Sequence, residues 1–245
     1  MLKYSVALTL LSIHLFLSAN TVEAITRDRD YYEKINHVIW DVKTDEKLIA
    51  ITFDDGPHPI YTPQILEILA KYKAKATFFV TGNRSDRYPH LLKRIVKEGH
   101  EIGNHTYNHL PGRSLSSISL KNELDQTAKT INRITGITPV LFRPVGGYYS
   151  DMIINTAIEN NYVVIMWSWH QDPMDWKKPS ANKIAKHITS AARPGDIVLL
   201  HDSGGDRTHT VKALESILDY LTEHHYKCVT VSEMIALSEK LPQFP

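Results

Sequence analysis

Six short runs, at residues 48–53, 76–81, 140–143, 162–167, 196–201 and 227–231, are apolar almost throughout and rich in Val, Ile, Phe and Thr. A strand with no polar alternation must be covered on both faces, which happens where helices pack on either side of a parallel sheet. The segments between the runs have helical periodicity. One opens near Pro63 and carries Ile65, Leu66, Ile68, Leu69 and Tyr72 on one stripe; others cover 88–98, 119–134, 151–160, 181–191 and 208–224. Gly99, Gly136 and Gly195 follow helical segments as stop signals. This alternation predicts an α/β fold with a largely parallel sheet, in which polar residues at the strand ends converge on one mouth.

Length and composition narrow the organisation. A chain of 245 residues, 42% hydrophobic and 22% charged, is built as a globular protein, and one catalytic domain after a leader is the simplest partition. The reading is a signal peptide at 1–24, an N-terminal extension at 25–46 and a catalytic domain at 47–240. Lys3 precedes an apolar run over residues 5–19, and Val22-Glu23-Ala24 has the small residues of a cleavage site, which puts the mature N-terminus at Ile25. The run is interrupted by His14 and is shorter than the roughly 20 residues of a bilayer span, so no stable span is expected after cleavage, an uncleaved anchor being the alternative. A net charge of +1 without long single-sign runs argues against a nucleic-acid partner. The single cysteine, Cys228, forms no intramolecular disulfide and reads as a structural thiol.

Two motifs carry the chemistry. Thr52-Phe53-Asp54-Asp55-Gly56-Pro57 ends the first strong strand, and adjacent carboxylates buried at a strand end call for a compensating cation. Standing alone it could be an ordinary Asp-Asp-Gly-Pro turn. His105 and His109 in His105-Thr106-Tyr107-Asn108-His109 are spaced to face one side of a helical turn and share a metal; surface histidines are the alternative. With Asp55 they make three protein ligands and leave a position open, the arrangement of a catalytic site.

In order and separation these motifs resemble those of the polysaccharide deacetylase superfamily, also called the NodB-homology or carbohydrate esterase family 4 group. The resemblance runs over about 48–235 and includes Arg143-Pro144-Val145-Gly146-Gly147, Asp172-Pro173-Met174-Asp175-Trp176 and Leu199-Leu200-His201. It implies a distorted (β/α) barrel with fewer than eight regular strands, and N-deacetylation of sugars. Carried over by residue, it makes Asp54 the general base, Asp55, His105 and His109 the metal ligands, Arg143 the residue that orients Asp54, and His201 the general acid. Asp172 matches the carboxylate partner of His201, ahead of Asp175. Gly146 matches the backbone donor to the oxyanion, although Val145 and Gly146 stand where the family has proline followed by tyrosine or glycine. Leu199 and Trp176 match the acetyl pocket and its rim. Tyr148 and Tyr149 either reach the sugar or pack.

The resemblance implies a divalent metal, Zn²⁺ first, with Co²⁺ and Ni²⁺ suited to the same ligands. The implied substrate is an N-acetylated glycan: N-acetylglucosamine of peptidoglycan, with chitin oligomers or N-acetylmuramic acid as alternatives. Acetylxylan is a further option. The expected location is extracytoplasmic and cell-wall associated. A reading from another class is an inactive carbohydrate-binding protein on the same fold.

Overall fold

The apolar runs become strands of one parallel sheet, seen in a computed structural model that describes residues 26–34 and 37–238. Ala24 and Ile25, at the expected cleavage site, lie outside the described residues. The strands are β1 Val38–Ile39, β2 Leu48–Asp54, β3 Ala76–Val80, β4 Glu101–Asn104, β5 Leu141–Phe142, β6 Val163–Ile165, β7 Asp196–His201 and β8 Lys227–Cys228. The helices are α1 Arg29–Lys34, α2 Tyr61–Lys71, α3 Gly82–Arg87, α4 Pro89–Lys97, α5 Ser117–Thr135, α6 Asp151–Glu159, α7 Ala181–Thr189, α8 Thr208–Glu223 and α9 Val231–Leu237.

Strand order is β1-β6-β5-β4-β3-β2-β7, and β8 pairs with the start of β2. The two ends of the sheet meet: Ser168 N donates to Ile197 O at 3.0 Å, Ile197 N donates to Ser168 Oγ at 3.1 Å, and Asp41 bridges Asp196. The sheet therefore curls into the expected distorted barrel. Its irregularity is visible in β1, β5 and β8, each only two residues long.

Alternation along the strands sorts residues between two environments. On β2, Ile49, Ile51 and Phe53 face the core shared with α2 and α8, while Leu48 and Ala50 face an inner core with Phe79, Ile165 and Ile197. The inner column continues through Thr52 to Asp54, so the same parity that buries aliphatic side chains lower down delivers a carboxylate to the mouth. On β7 the inner column is Ile197, Leu199 and His201, with Val198 and Leu200 on the outer face. On β6, Val163 and Ile165 lead to Trp167.

Two readings change, and one helix was not foreseen. The extension expected at 25–46 contributes to the sheet through its described residues, since β1 pairs with β6 and Tyr32, Val38, Trp40 and Val42 are buried, so the folded unit starts before residue 47. Its apolar run was too short to register as a strand. Val42 N donates to Gly195 O at 2.9 Å, and Gly195, at φ 83°, has room only for hydrogen because a Cβ would come within 1.7 Å of Val42 O. The run at 227–231 yields only β8, because Thr230 caps α9 by accepting from Glu233 N at 3.1 Å. Helix α3 had no apolar stripe to announce it.

Trp40 is fully buried, with the Tyr149 ring 5.5 Å away and edge-on. Trp40→Ala should lower the urea unfolding free energy by about 3 to 5 kcal/mol, the usual cost of emptying an aromatic core position. An unchanged midpoint would mean that residues 37–42 are peripheral.

Candidate active site

Asp54 is the last residue of β2, and Asp55 follows in left-handed backbone at φ 76°. This break in the strand's alternation sends the two carboxylates to different partners. Asp54 Oδ1 accepts from Arg143 Nη1 at 2.8 Å, whereas Asp55 Oδ1 lies 3.5 Å from His105 Nε2 and 2.8 Å from His109 Nε2.

The expected helical turn at 105–109 is not formed: Thr106 and His109 have φ of 67° and 57°. The backbone is a loop held by side chains. Asn104 Oδ1 accepts from Thr106 N at 2.9 Å, and Glu123 accepts from Tyr107 N at 2.8 Å, Asn108 N at 2.6 Å and Asn108 Nδ2 at 2.7 Å. Without helical bonding these amides need other acceptors, which the buried Glu123 of α5 supplies. The histidines still converge, and ligand atoms of Asp55, His105 and His109 all lie within 4.8 Å of one another.

These residues fit a divalent cation. His105 Nδ1 is 2.7 Å from Arg143 O, and since a carbonyl only accepts, Nδ1 carries the proton and Nε2 presents its lone pair toward Asp55. Burial opposes the Asp55 charge, but the imidazoles of His105 and His109 beside it outweigh it and hold that carboxyl far below the usual range. The bond to Asp55 raises His109 in turn, against the effect of burial. Two imidazoles and one carboxylate, with one side facing a cavity, form an open three-ligand set.

The partner of His201 is Asp175, and the expectation for Asp172 is corrected. Asp175 Oδ1 stands 2.6 Å from His201 Nδ1, and Oδ2 accepts from His201 N at 2.9 Å and Thr210 Oγ1 at 2.8 Å. Asp172 spends its carboxylate locally: Oδ1 accepts from Met174 N at 2.8 Å in an Asx turn. Met174 then turns left-handed at φ 51° and brings Asp175 inward, leaving Asp172 on the cavity wall. Burial alone would lower the His201 pKa, but the Asp175 bond and charge raise it to about 9.

Arg143 is completely buried. Nε donates to Ile165 O at 3.0 Å, Nη2 to Met166 O at 2.8 Å, and Nη1 to Thr52 Oγ1 at 2.6 Å as well as to Asp54. Asp54, Asp55, His105, His109, Gly146, Trp167, Asp172, Trp176, Leu199 and His201 all line one cavity of about 270 Å³. Gly146 turns at φ 63°, and Trp176 is 48% exposed at the rim. Tyr149 packs against Tyr32 and Trp40 instead of reaching the cavity. Burial pushes the Cys228 thiol up to about 12, which suits a structural role.

Sequence reasoning passed over Glu123, Asn104, Thr52, Thr210 and Trp167. For Glu123 a signal existed, since it interrupts the buried stripe of Leu120, Leu124, Ile131 and Ile134 with a carboxylate. Trp167 could have been found by continuing the inner parity of β6.

An open three-ligand site at the mouth of a parallel α/β barrel is the arrangement of a metal-dependent hydrolase. A family profile described as polysaccharide deacetylase matches residues 41–165. A peptidoglycan-N-acetylglucosamine deacetylase of Bacillus cereus is 50% identical over 207 residues, 84% of this chain and 97% of that protein. A crystal structure of a peptidoglycan N-acetylglucosamine deacetylase with a hydroxamate-type benzamide superposes with a TM-score of 0.82 at 30% identity, over 88% of this chain and 99% of the other. A family 4 acetyl xylan esterase from Clostridium thermocellum, in complex with a cobalt ion, gives a TM-score of 0.71 at 32% identity, over 81% and 94%. The chain belongs to the polysaccharide deacetylase family.

Glu123→Gln should weaken metal binding by about 10-fold, in the range for supporting residues outside the ligand set, while circular dichroism stays unchanged. Competition with a chelating dye measures it. Unaltered affinity in the folded variant would remove Glu123 as the support of the ligand loop.

Proposed function

We propose that this protein hydrolyses the acetamide of N-acetylglucosamine residues in peptidoglycan, releasing acetate at the cell wall outside the cytoplasm. The observation that carries the reading is one cavity containing three convergent ligands, a separate carboxylate and a carboxylate-backed histidine. The relative at 50% identity, which spans nearly the same length, favours N-acetylglucosamine over N-acetylmuramic acid and chitin.

Asp55, His105 and His109 would hold the divalent ion, with Zn²⁺ the first choice for two imidazoles and a carboxylate. When bound, it supplies Lewis-acid polarisation of the acetyl carbonyl and acidifies water at the site. Asp54 then takes a proton from the attacking water, its Oδ1 held by Arg143 so that Oδ2 remains available. Gly146 offers a backbone N–H toward the developing oxyanion. Leu199, Trp167 and Trp176 provide apolar walls for the methyl group. His201, protonated at neutral pH through Asp175, gives its proton to the departing amine. A purely sugar-binding role would need none of these paired acid and base groups.

Acetate release from purified peptidoglycan should be followed against pH. His201 acts as acid only while protonated, so activity should fall on the alkaline side as that proton is lost, and the Asp175 bond and charge hold the fall above the ordinary histidine range. In Asp175→Asn the burial penalty is left uncompensated, and the alkaline limb should move to lower pH than in the wild type; a bound cation offsets the fields of Asp54 and Asp55, so this variant isolates the Asp175 contribution. An alkaline limb that stays in place would remove His201 as the acid, and absence of acetate release from any N-acetylated glycan would remove the hydrolase reading.

A further inference from the structure

Two cations on segments that adjoin the catalytic cavity have no part in the proposed reaction. Arg113 lies on the turn Gly112–Ser114, shortly after His109, and its guanidinium carbon stands 4.9 Å from the centroid of the Tyr148 ring. Tyr148 follows Gly146 and Gly147 of the cavity wall and packs on Gly112, where a Cβ would come within 2.9 Å of its Cδ1. Arg113 is therefore tied between two segments that each contribute to the site. Next in sequence to the cavity-lining Trp176, Lys177 Nζ stands 4.8 Å from that ring's centroid and 3.3 Å from Met174 Sδ. Neither cation forms an ion pair among the described residues.

A cation laid over an aromatic ring loses part of its conformational freedom in advance while its N–H groups stay open to solvent, so less entropy is lost when it meets an anion. A neutral sugar has no need of such groups. Beside Arg113 and Tyr148 runs a second cleft of about 680 Å³, bordered by Ser116, Ser117 and Met152, of a size that takes a small ligand. In peptidoglycan the neighbours of each N-acetylglucosamine are muramyl residues bearing peptides with free carboxylates, whereas chitin has none.

We infer that Arg113, with Lys177 as a second contact, binds carboxylates of the peptide stems on the muramyl residues adjoining the sugar under attack. The inference rests on the peptidoglycan reading above. It makes the two cations a device that favours stem-bearing glycan over bare N-acetylglucosamine polymers, and a guanidinium suits a carboxylate because it can meet both oxygens at once.

Acetate release should be measured on stem-bearing glycan oligomers and on N-acetylglucosamine oligomers of equal length, for the wild type, Arg113→Ala, Arg113→Lys and Lys177→Ala. Each alanine variant should raise KM by about 3- to 5-fold on the stem-bearing substrate alone, with kcat unchanged and the difference fading at high salt. Arg113→Lys should recover part of the loss. An equal KM change on both substrates, or on neither, overturns the inference while leaving the deacetylase reading intact. Wild-type turnover of the bare oligomers without any turnover of the stem-bearing ones overturns the peptidoglycan reading and this inference together.

Discussion

A buried guanidinium holds the catalytic end of this barrel together. Arg143 follows β5, yet its donors reach the carbonyls of Ile165 and Met166 at the end of β6 and the Thr52 and Asp54 side chains of β2. Thr52 passes the connection on, donating to Val198 O on β7 at 2.6 Å. A charge with no solvent access is costly unless its donors are satisfied, and here Asp54 offsets part of a burial penalty that still lowers the Arg143 pKa. The Phe79 ring, with its centroid 4.1 Å from the guanidinium carbon, closes it from the inner core. Removing any one partner strands a buried charge, so strand spacing at the mouth and the orientation of Asp54 are set by the same network.

That network explains how two adjacent aspartates can differ in role. Asp54 remains in strand geometry and falls to Arg143, while the left-handed step at Asp55 turns the next carboxylate to the histidine loop. The same residue also orients a ligand, because the Arg143 carbonyl receives His105 Nδ1. The proposed base and ligand set are therefore referenced to one side chain and its own backbone. The proposed acid, His201, is organised separately: its partner Asp175 is anchored by Thr210 of α8, and the Asp175 carbonyl accepts from the buried Arg207 at 3.5 Å.

Much of this was legible in the residues. Continuous apolar runs predict buried parallel strands because a two-sided environment leaves no polar alternation, and that logic held for β2, β3, β6 and β7. It missed β1, whose two residues are too few to show a pattern, and it lengthened β8, where a capping threonine begins a helix. Of the site residues named in advance, the structure gathers Asp54, Asp55, His105, His109, Arg143, Gly146, Asp172, Trp176, Leu199 and His201 at one mouth. The spacing of the two histidines was read correctly for convergence and incorrectly for mechanism. A helix and a side-chain-pinned loop can bring the same pair together, and only Glu123, distant in sequence, decides between them. The exchange of Asp172 for Asp175 has a similar cause, since an Asx turn three residues ahead of the buried aspartate absorbs the first carboxylate.

The claim on which the account depends is that neighbouring carboxylates at 54 and 55 do different work, and metal content measured beside turnover separates them. Asp55→Ala removes a ligand and should strip or greatly weaken the metal, with activity lost as a result. Asp54→Asn retains an oxygen for Arg143 but cannot accept a proton, so the metal should stay bound while turnover falls by roughly two to four orders of magnitude. Metal lost from Asp54→Asn and retained in Asp55→Ala would contradict the assignment.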